Sequence, residues 1–157
     1  MKTNIGITTE NRQAIAEKLF AILADEFVLF SKLLNAHWNV EGSDFHSVHT
    51  YLDELYHEQL ETVDEVAEYI RIIGHYVPAN LSKYQELTHL SEVYEGKNDS
   101  QSYFAELLNT HESIIINLRE KIAPFAEDYK AEGMSDFITG LMNKHQKTAW
   151  MLRAHLK

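Results

Sequence analysis

The sequence predicts an all-α protein, a bundle of four long helices with a short extra helix in the crossover between the second and the third. Apolar residues recur at three- and four-residue steps over four long stretches, which is the period of amphipathic helices. Only two prolines and six glycines interrupt the 157 residues. One long polar connection separates the second stretch from the third, as in bundles with a crossover. A chain of this length is expected to form one domain over residues 1–157.

Capping residues delimit the first two helices. Thr8 or Thr9 is suited to cap the first helix, because a side-chain hydroxyl accepts a hydrogen bond from the free amides of the first turn. This helix should end near Trp38. Gly42 then breaks the chain, and the second helix should end at Gly74.

The second half of the chain begins with the crossover, where Pro78 stops any helix. The segment LSKYQELTHLSEVY predicts a short helix there, before a polar run that leads to the third long helix at residues 100–102. Pro124 should kink or end that helix, since proline lacks the amide hydrogen and clashes with the preceding turn. Gly133 is predicted to separate it from the fourth, with Ser135 as the cap.

Composition excludes several classes of protein. The chain has no cysteine, which excludes disulfides, thiolate metal sites and cysteine nucleophiles. Its first residues, MKTNIGITTENRQ, lack the apolar core of a secretion signal. The most apolar run, residues 19–30, contains two acidic residues and is too short to span a bilayer. We therefore expect a cytoplasmic protein with no membrane partner, and association with the nucleoid stays open.

Histidines and carboxylates crowd the stretch from residue 37 to residue 68. His49 and Asp53 are four residues apart, and so are Asp64 and Glu68. Residues at this spacing share one face of a helix, so each couple could hold a metal ion between two side chains. Asp53 and Asp64 also share a stripe that lies between the apolar face and the glutamate-rich face of the second helix. A soluble amphipathic helix needs only an apolar face and a polar face, so this third stripe suggests a function.

The His49/Asp53 couple and the Asp64/Glu68 couple lie too far apart on the second helix to bind the same ion within one chain. Asp53 and Asp64 are 64 − 53 = 11 residues apart, which is roughly 16 Å along a helix. Metal–oxygen bonds are only about 2.0–2.6 Å long. The couples can meet if two copies of the helix cross antiparallel about a two-fold axis near Glu58 and Gln59, in an isologous homodimer. The spacing therefore predicts a metal site shared between subunits.

The motif H-W-N-x-x-G-x-x-F-x-x-V-H-x-x-x-D, followed by D-x-x-x-E, resembles the ferroxidase signature of Dps proteins. These are dodecameric mini-ferritins of the ferritin-like superfamily, named for DNA binding in starved cells. The resemblance runs over nearly the whole chain, as far as the segment W-M-x-x-A-x-L near its end. It implies a ligand set in which one subunit gives His37, His49 and Asp53 and its partner gives Asp64 and Glu68. Trp38 matches the tryptophan beside that site; its alternative is a core aromatic residue.

The function that this resemblance implies is iron detoxification and storage by ferroxidase activity. Two Fe(II) ions would bind at each inter-subunit site and be oxidised together, with hydrogen peroxide as the preferred oxidant and dioxygen as the other. The ferric product would be stored as a mineral inside a homo-oligomer, a dodecamer built from two-fold dimers, and would protect against oxidative stress. A ligand set rich in carboxylates suits iron better than copper.

Two further acidic groups have both a simple and a functional interpretation. One is a row on the second helix that is either a solvated face or a wall where ferric mineral nucleates: Glu54, Glu58, Glu61 and Glu65. The other surrounds the last interhelical junction and is either a solvated loop or, by resemblance, the lining of an iron-entry pore: Glu127, Glu132 and Asp136. The remaining histidines, among them His57, His89, His111 and His145, are predicted to be surface or packing residues.

The alternative function is a DNA-binding, nucleoid-compacting protein with little ferroxidase role, and a third is a structural bundle without chemistry. A formal net charge of −10 argues against free-standing binding to nucleic acid. Dps proteins that bind DNA generally use lysine-rich terminal extensions, whereas the first seven residues here hold a single lysine, Lys2.

Overall fold

Helices form almost all of the regular structure in the computed structural model, which describes residues 3–157. The five helices are α1 (Thr9–Asn39), α2 (Phe45–Ile72), α3 (Leu81–Leu87), α4 (Ser100–Glu127) and α5 (Glu132–His155). In that part of the chain, the one β feature is an isolated bridge between Glu41 and Asp99. The predicted four-helix bundle with a short helix in the crossover is confirmed.

The long helices pack as two pairs around one apolar core. Helix α1 lies along α2, α4 lies along α5, and α3 covers part of α1. Leu23, Leu52 and Phe104, from three different helices, are almost completely buried in this core. Burial of each such side chain stabilises the fold by about 1.5–3 kcal/mol relative to an exposed position. None of the helices in residues 3–157 has the length and apolar character that crossing a bilayer requires.

The ends of α1 and α2 agree with the capping residues in the sequence. The hydroxyl of Thr8 accepts a hydrogen bond of 3.2 Å from the amide of Asn11, which makes Thr8 the cap of α1. Helix α2 ends at Ile72, two residues before Gly74. Gly74 has a φ of +92°, and a Cβ at this position would lie 2.5 Å from the Thr3 hydroxyl, so a side chain would be both strained and obstructed.

The junction between α4 and α5 differs from the prediction. Helix α4 continues past Pro124 to Glu127, and α5 already begins at Glu132, so Gly133 and Ser135 lie inside it. The chain reverses at Lys130, which adopts a left-handed φ of 55°. Ser135 does not cap α5, because its hydroxyl donates a hydrogen bond of 2.8 Å to the Ile122 carbonyl of α4. The expected glycine turn is thus made by a lysine three residues earlier.

Candidate metal centre

Two histidines from adjacent helices form the centre of the candidate site. His37 is buried in the last turn of α1, and His49 lies near the start of α2. Their rings stack with centroids 3.9 Å apart. His37 Nδ1 lies 3.1 Å from the His49 carbonyl oxygen, and His49 Nδ1 lies 2.8 Å from the His37 carbonyl oxygen. The two side chains therefore bind each other's backbone reciprocally.

This reciprocal pairing determines which ring nitrogens can bind a metal. A carbonyl oxygen only accepts hydrogen bonds, so each Nδ1 must carry a hydrogen and donate it. In the neutral rings the lone pair is then on Nε2, and the bond at Nδ1 orients the ring as the outer partners of metal-bound histidines do. The His37 carbonyl also belongs to the last turn of α1, where carbonyls lack a partner within the helix, so His49 helps to satisfy the helix end.

Asp53 completes the part of the site that the structure brings together. It lies one turn after His49 on α2, and its Oδ1 is 3.8 Å from Nε2 of His37. Two ligands at about 2.0–2.2 Å from one ion are separated by roughly 3–4 Å, so this distance fits a shared ion. The Asp53 side chain is 46% exposed, which leaves the site open toward solvent or a neighbouring molecule.

Aromatic rings and a further histidine surround these three residues. The ring of Phe45 stacks on His49 at 5.0 Å, and the ring of Tyr56 lies 5.1 Å from His37. Partial desolvation raises the pKa of the Tyr56 hydroxyl, and the hydrogen bond to Asp53 and its negative charge raise that pKa further. His57 donates from Nδ1 to the Asp53 carbonyl at 2.8 Å. Its contact with the site was missed in the sequence, although the four-residue spacing from Asp53 is the signal that reveals it.

The other predicted ligands lie elsewhere on the same helix. Asp64 and Glu68 are both exposed, and α2 is continuous from Phe45 to Ile72. The separation of roughly 16 Å inferred from the helical rise therefore applies. Within residues 3–157, no three or more histidine, aspartate or glutamate side chains are already arranged around a metal position.

Trp38, which follows His37 in the last turn of α1, is 69% exposed. Its interpretation as a core aromatic residue is therefore wrong within this chain. Its match to the tryptophan beside the ferroxidase site of Dps proteins stays a prediction.

The acidic row on α2 faces a cleft with a volume of about 430 Å³, whose lining comes mainly from α2 and α5. The lining includes three exposed carboxylates of the row, Glu54, Glu58 and Glu61. Glu65 differs, because Lys144 of α5 donates a hydrogen bond of 2.6 Å to its carboxylate. The three carboxylates of the proposed pore are all exposed near the α4–α5 junction: Glu127, Glu132 and Asp136.

A buried polar cluster lies in the bundle core below this cleft. Glu26 is completely buried in α1, and its Oε1 lies 3.0 Å from Nε2 of His145, which is 3% exposed. Gln59 donates a hydrogen bond of 2.6 Å to the other carboxylate oxygen of Glu26. Nδ1 of His111 lies 2.9 Å from Nδ1 of His145, whereas His111 Nε2 is buried without a partner in the described chain. Both histidines are thus packing residues, but the sequence did not indicate that they share one network.

Protonation of His111 should make stability depend on pH. Burial holds the pKa of His111 well below its ordinary value of 6.5, and the neighbouring His145 lowers it further. Below about pH 6.5 the unfolded chain binds a proton here and the folded chain does not, so the free energy of unfolding falls as the pH falls.

We expect the substitution His111→Gln to flatten this dependence by up to about 1.4 kcal/mol per pH unit. Urea unfolding from about pH 7.5 to about pH 5 measures the slope. His46→Gln, at an exposed position, serves as the control. Equal slopes for the parent and His111→Gln would contradict the assignment.

Comparisons with known proteins agree with this fold and with the family resemblance. Residues 16–157 match the ferritin-like domain family. DNA protection during starvation protein 2 of Bacillus anthracis is 34% identical over 146 residues, which cover 93% of this chain and 98% of that protein. The crystal structure of the Dps protein from Vibrio cholerae O1, described as one of the ferritin-like diiron-carboxylate proteins, is similar with a TM-score of 0.91 and 26% identity, over 100% of this chain and 98% of that one.

A second solved structure, a Dps protein from Bacillus brevis, has a TM-score of 0.88 and 28% identity, over 96% of this chain and 100% of that one. The family match extends over most of the chain, and the Bacillus anthracis relative is similar over nearly its whole length. The chain therefore belongs to the Dps family of ferritin-like proteins.

Proposed function

We propose that this protein oxidises Fe(II) at sites shared by two subunits and stores the ferric product. The observation that carries the proposal is the reciprocal bonding of His37 and His49, which leaves the lone pair of each Nε2 available to a metal ion, with Nε2 of His37 3.8 Å from Asp53 Oδ1. Imidazole nitrogen and carboxylate oxygen are ligands that iron accepts. Asp64 and Glu68 of a second copy would complete the set, since one helix is too long to bring both halves to the same ion.

Iron in this proposal is the substrate, and the residues act as its ligands. Two Fe(II) ions per inter-subunit site supply two electrons, which together with two protons reduce one hydrogen peroxide to two water molecules. A paired two-electron step avoids the hydroxyl radical that single-electron reduction of peroxide releases. No protein nucleophile takes part. Trp38, exposed and next to His37, would react with any one-electron oxidant that forms at the site.

The assembly in this proposal is a closed shell, a dodecamer built from two-fold dimers. Glu54, Glu58 and Glu61 would face its interior, where their unpaired carboxylates attract ferric ions. Glu65 would contribute less, because Lys144 already compensates part of its charge. The pore formed by the exposed carboxylates around the α4–α5 junction would admit Fe(II), and the shell would reside in the cytoplasm.

Iron oxidation by the purified assembly tests the proposal. Anaerobic titration with Fe(II) should saturate at two ions per chain, and added peroxide should then oxidise them rapidly. The double variant Asp64→Ala, Glu68→Ala should lose at least about tenfold to a hundredfold in rate at low iron, since it removes two ligands. The control is Glu10→Ala, Glu17→Ala, which removes the same charge at exposed positions of α1. Equal oxidation by the parent and the Asp64/Glu68 variant would reject the site.

A further inference from the structure

An aspartate, a histidine and a serine form a hydrogen-bonded chain where the crossover meets α1 and α4. Asp25 of α1 is only 2% exposed, and its Oδ2 lies 2.8 Å from Nδ1 of His89. Nε2 of His89 lies 2.9 Å from the hydroxyl oxygen of Ser113 on α4. These residues belong neither to the candidate metal centre nor to the buried cluster of Glu26.

The remaining bonds of Asp25 fix its orientation. Its Oδ1 accepts hydrogen bonds from the Thr88 hydroxyl at 2.7 Å and from the His89 amide at 3.0 Å. Its Oδ2 also accepts a bond of 3.0 Å from the Asn117 side chain, and Lys121 of α4 in turn donates to the Asn117 side chain. The carboxylate of Asp25 is therefore held by bonds from the crossover and from α4, which orient it toward His89.

The chemistry of the acceptors determines the positions of the protons. An ionised carboxylate only accepts, so the hydrogen between Asp25 and His89 belongs to Nδ1 of the ring. The neutral ring then has its lone pair on Nε2, which accepts the hydroxyl hydrogen of Ser113. This is the order of acid, imidazole and hydroxyl that activates serine nucleophiles on unrelated folds.

Exposure is lowest at the acid, intermediate at the serine and highest at the histidine. The acid is buried, the histidine side chain is 40% exposed, and Ser113 is partly exposed. A reagent from solvent can therefore reach the hydroxyl, while the carboxylate that orients the base stays shielded.

We propose that Ser113 is an activated nucleophile and a site of covalent acylation by reactive esters and thioesters. His89 Nε2 takes the hydroxyl proton while Ser113 Oγ forms a bond to the carbonyl carbon of the donor. The bond to the alcohol or thiol leaving group breaks, and the leaving group takes the proton from His89. Asp25 is a positioning residue, because it acts only through the imidazole ring.

The position of Ser113 inside α4 limits hydrolysis of the acyl-serine. Amides in the middle of a helix bond to carbonyls one turn back, so they are not free to stabilise the oxyanion, a contribution that is usually large in acyl transfer. Turnover is therefore slow, and the acyl-serine persists. The product of this chemistry is therefore a protein acylated at Ser113, and the ester is not hydrolysed catalytically.

A fluorophosphonate probe tests the proposal on the assembled protein, read out by intact mass and peptide mapping. The Ser113 oxygen forms a bond to phosphorus, fluoride leaves, and the proton passes through His89 to solvent. We expect one adduct per chain at Ser113, formed at least about tenfold faster than at Ser47. Ser47 is the internal reference, because its hydroxyl donates to the Asp44 carbonyl and has no histidine partner.

The variant His89→Asn should reduce labelling of Ser113 to the rate of Ser47, whereas His46→Asn, at an exposed histidine, should leave it unchanged. NMR of the ring nitrogens in the unmodified protein should find the hydrogen of neutral His89 on Nδ1. Labelling of Ser113 no faster than Ser47, unchanged labelling in His89→Asn, or a hydrogen on Nε2 would each overturn the proposal. The network would then serve only to attach the crossover to α1 and α4.

Discussion

Mixing two inactive variants is expected to restore iron oxidation. One variant carries His37→Ala and His49→Ala, and the other carries Asp64→Ala and Glu68→Ala. In a mixed two-fold dimer, one interface site receives both intact halves and the other receives both defective halves. Equal mixing at random gives mixed dimers half of the time, so about one quarter of all sites should be intact.

The measurement is peroxide-driven iron oxidation after the two variants are coexpressed, with a mass tag on one of them. Mass spectrometry of the intact assembly confirms that mixed dimers form. Each variant expressed alone should stay near the background rate. Mixed assemblies that contain both variants but oxidise iron no faster than either alone would show that the two halves do not meet.

Removal of the carboxylate of Glu26 is expected to destabilise the bundle strongly. The substitution Glu26→Ala leaves His145 and Gln59 without their shared partner in the core, and the loss of one member of a buried pair costs about 3–5 kcal/mol. The matched control is Glu112→Ala, because Glu112 pairs with Arg153 at 2.6 Å on the surface. Exposed pairs contribute only about 0–1 kcal/mol.

Urea unfolding at equal protein concentration measures both effects, since assembly contributes to apparent stability. The variant His145→Ala and the double variant complete a cycle, in which the two costs should fail to add because the residues share one interaction. A cost for Glu26→Ala as small as that for Glu112→Ala would mean that the buried cluster contributes little to stability.

The parts of this fold that the sequence predicts are those set by local physics. The helical period and the capping residue Thr8 predict α1 correctly, and the short helix in the crossover is indicated by a segment bounded by proline and a polar run. The α4–α5 turn escapes this reasoning, because Lys130 adopts a left-handed conformation and Ser135 bonds across to Ile122. Nothing in the residue types alone distinguishes that turn from one centred on Gly133.

In the candidate site, too, the sequence predicts the features set by local spacing and misses those that depend on how the helices pack. Four-residue spacings predict the couples on α2, and the helical rise predicts their separation. The reciprocal bonds between His37 and His49 depend on how the end of α1 approaches the start of α2, which no spacing reveals. The pairing of His111 with His145 was missed for the same reason, since the two residues are 34 positions apart.

The reciprocal hydrogen bonds between His37 and His49 also make the loop between α1 and α2 important for where the two rings carry their hydrogens. If that loop moved the helix ends apart, each ring could carry its hydrogen on Nε2 instead of Nδ1. A protonated Nε2 has no lone pair and could not bind iron. At the proposed iron site, a residue change in the loop would thus alter the affinity for iron without contacting a ligand. The affinity of the proposed site would then depend on how the ends of the two helices are connected.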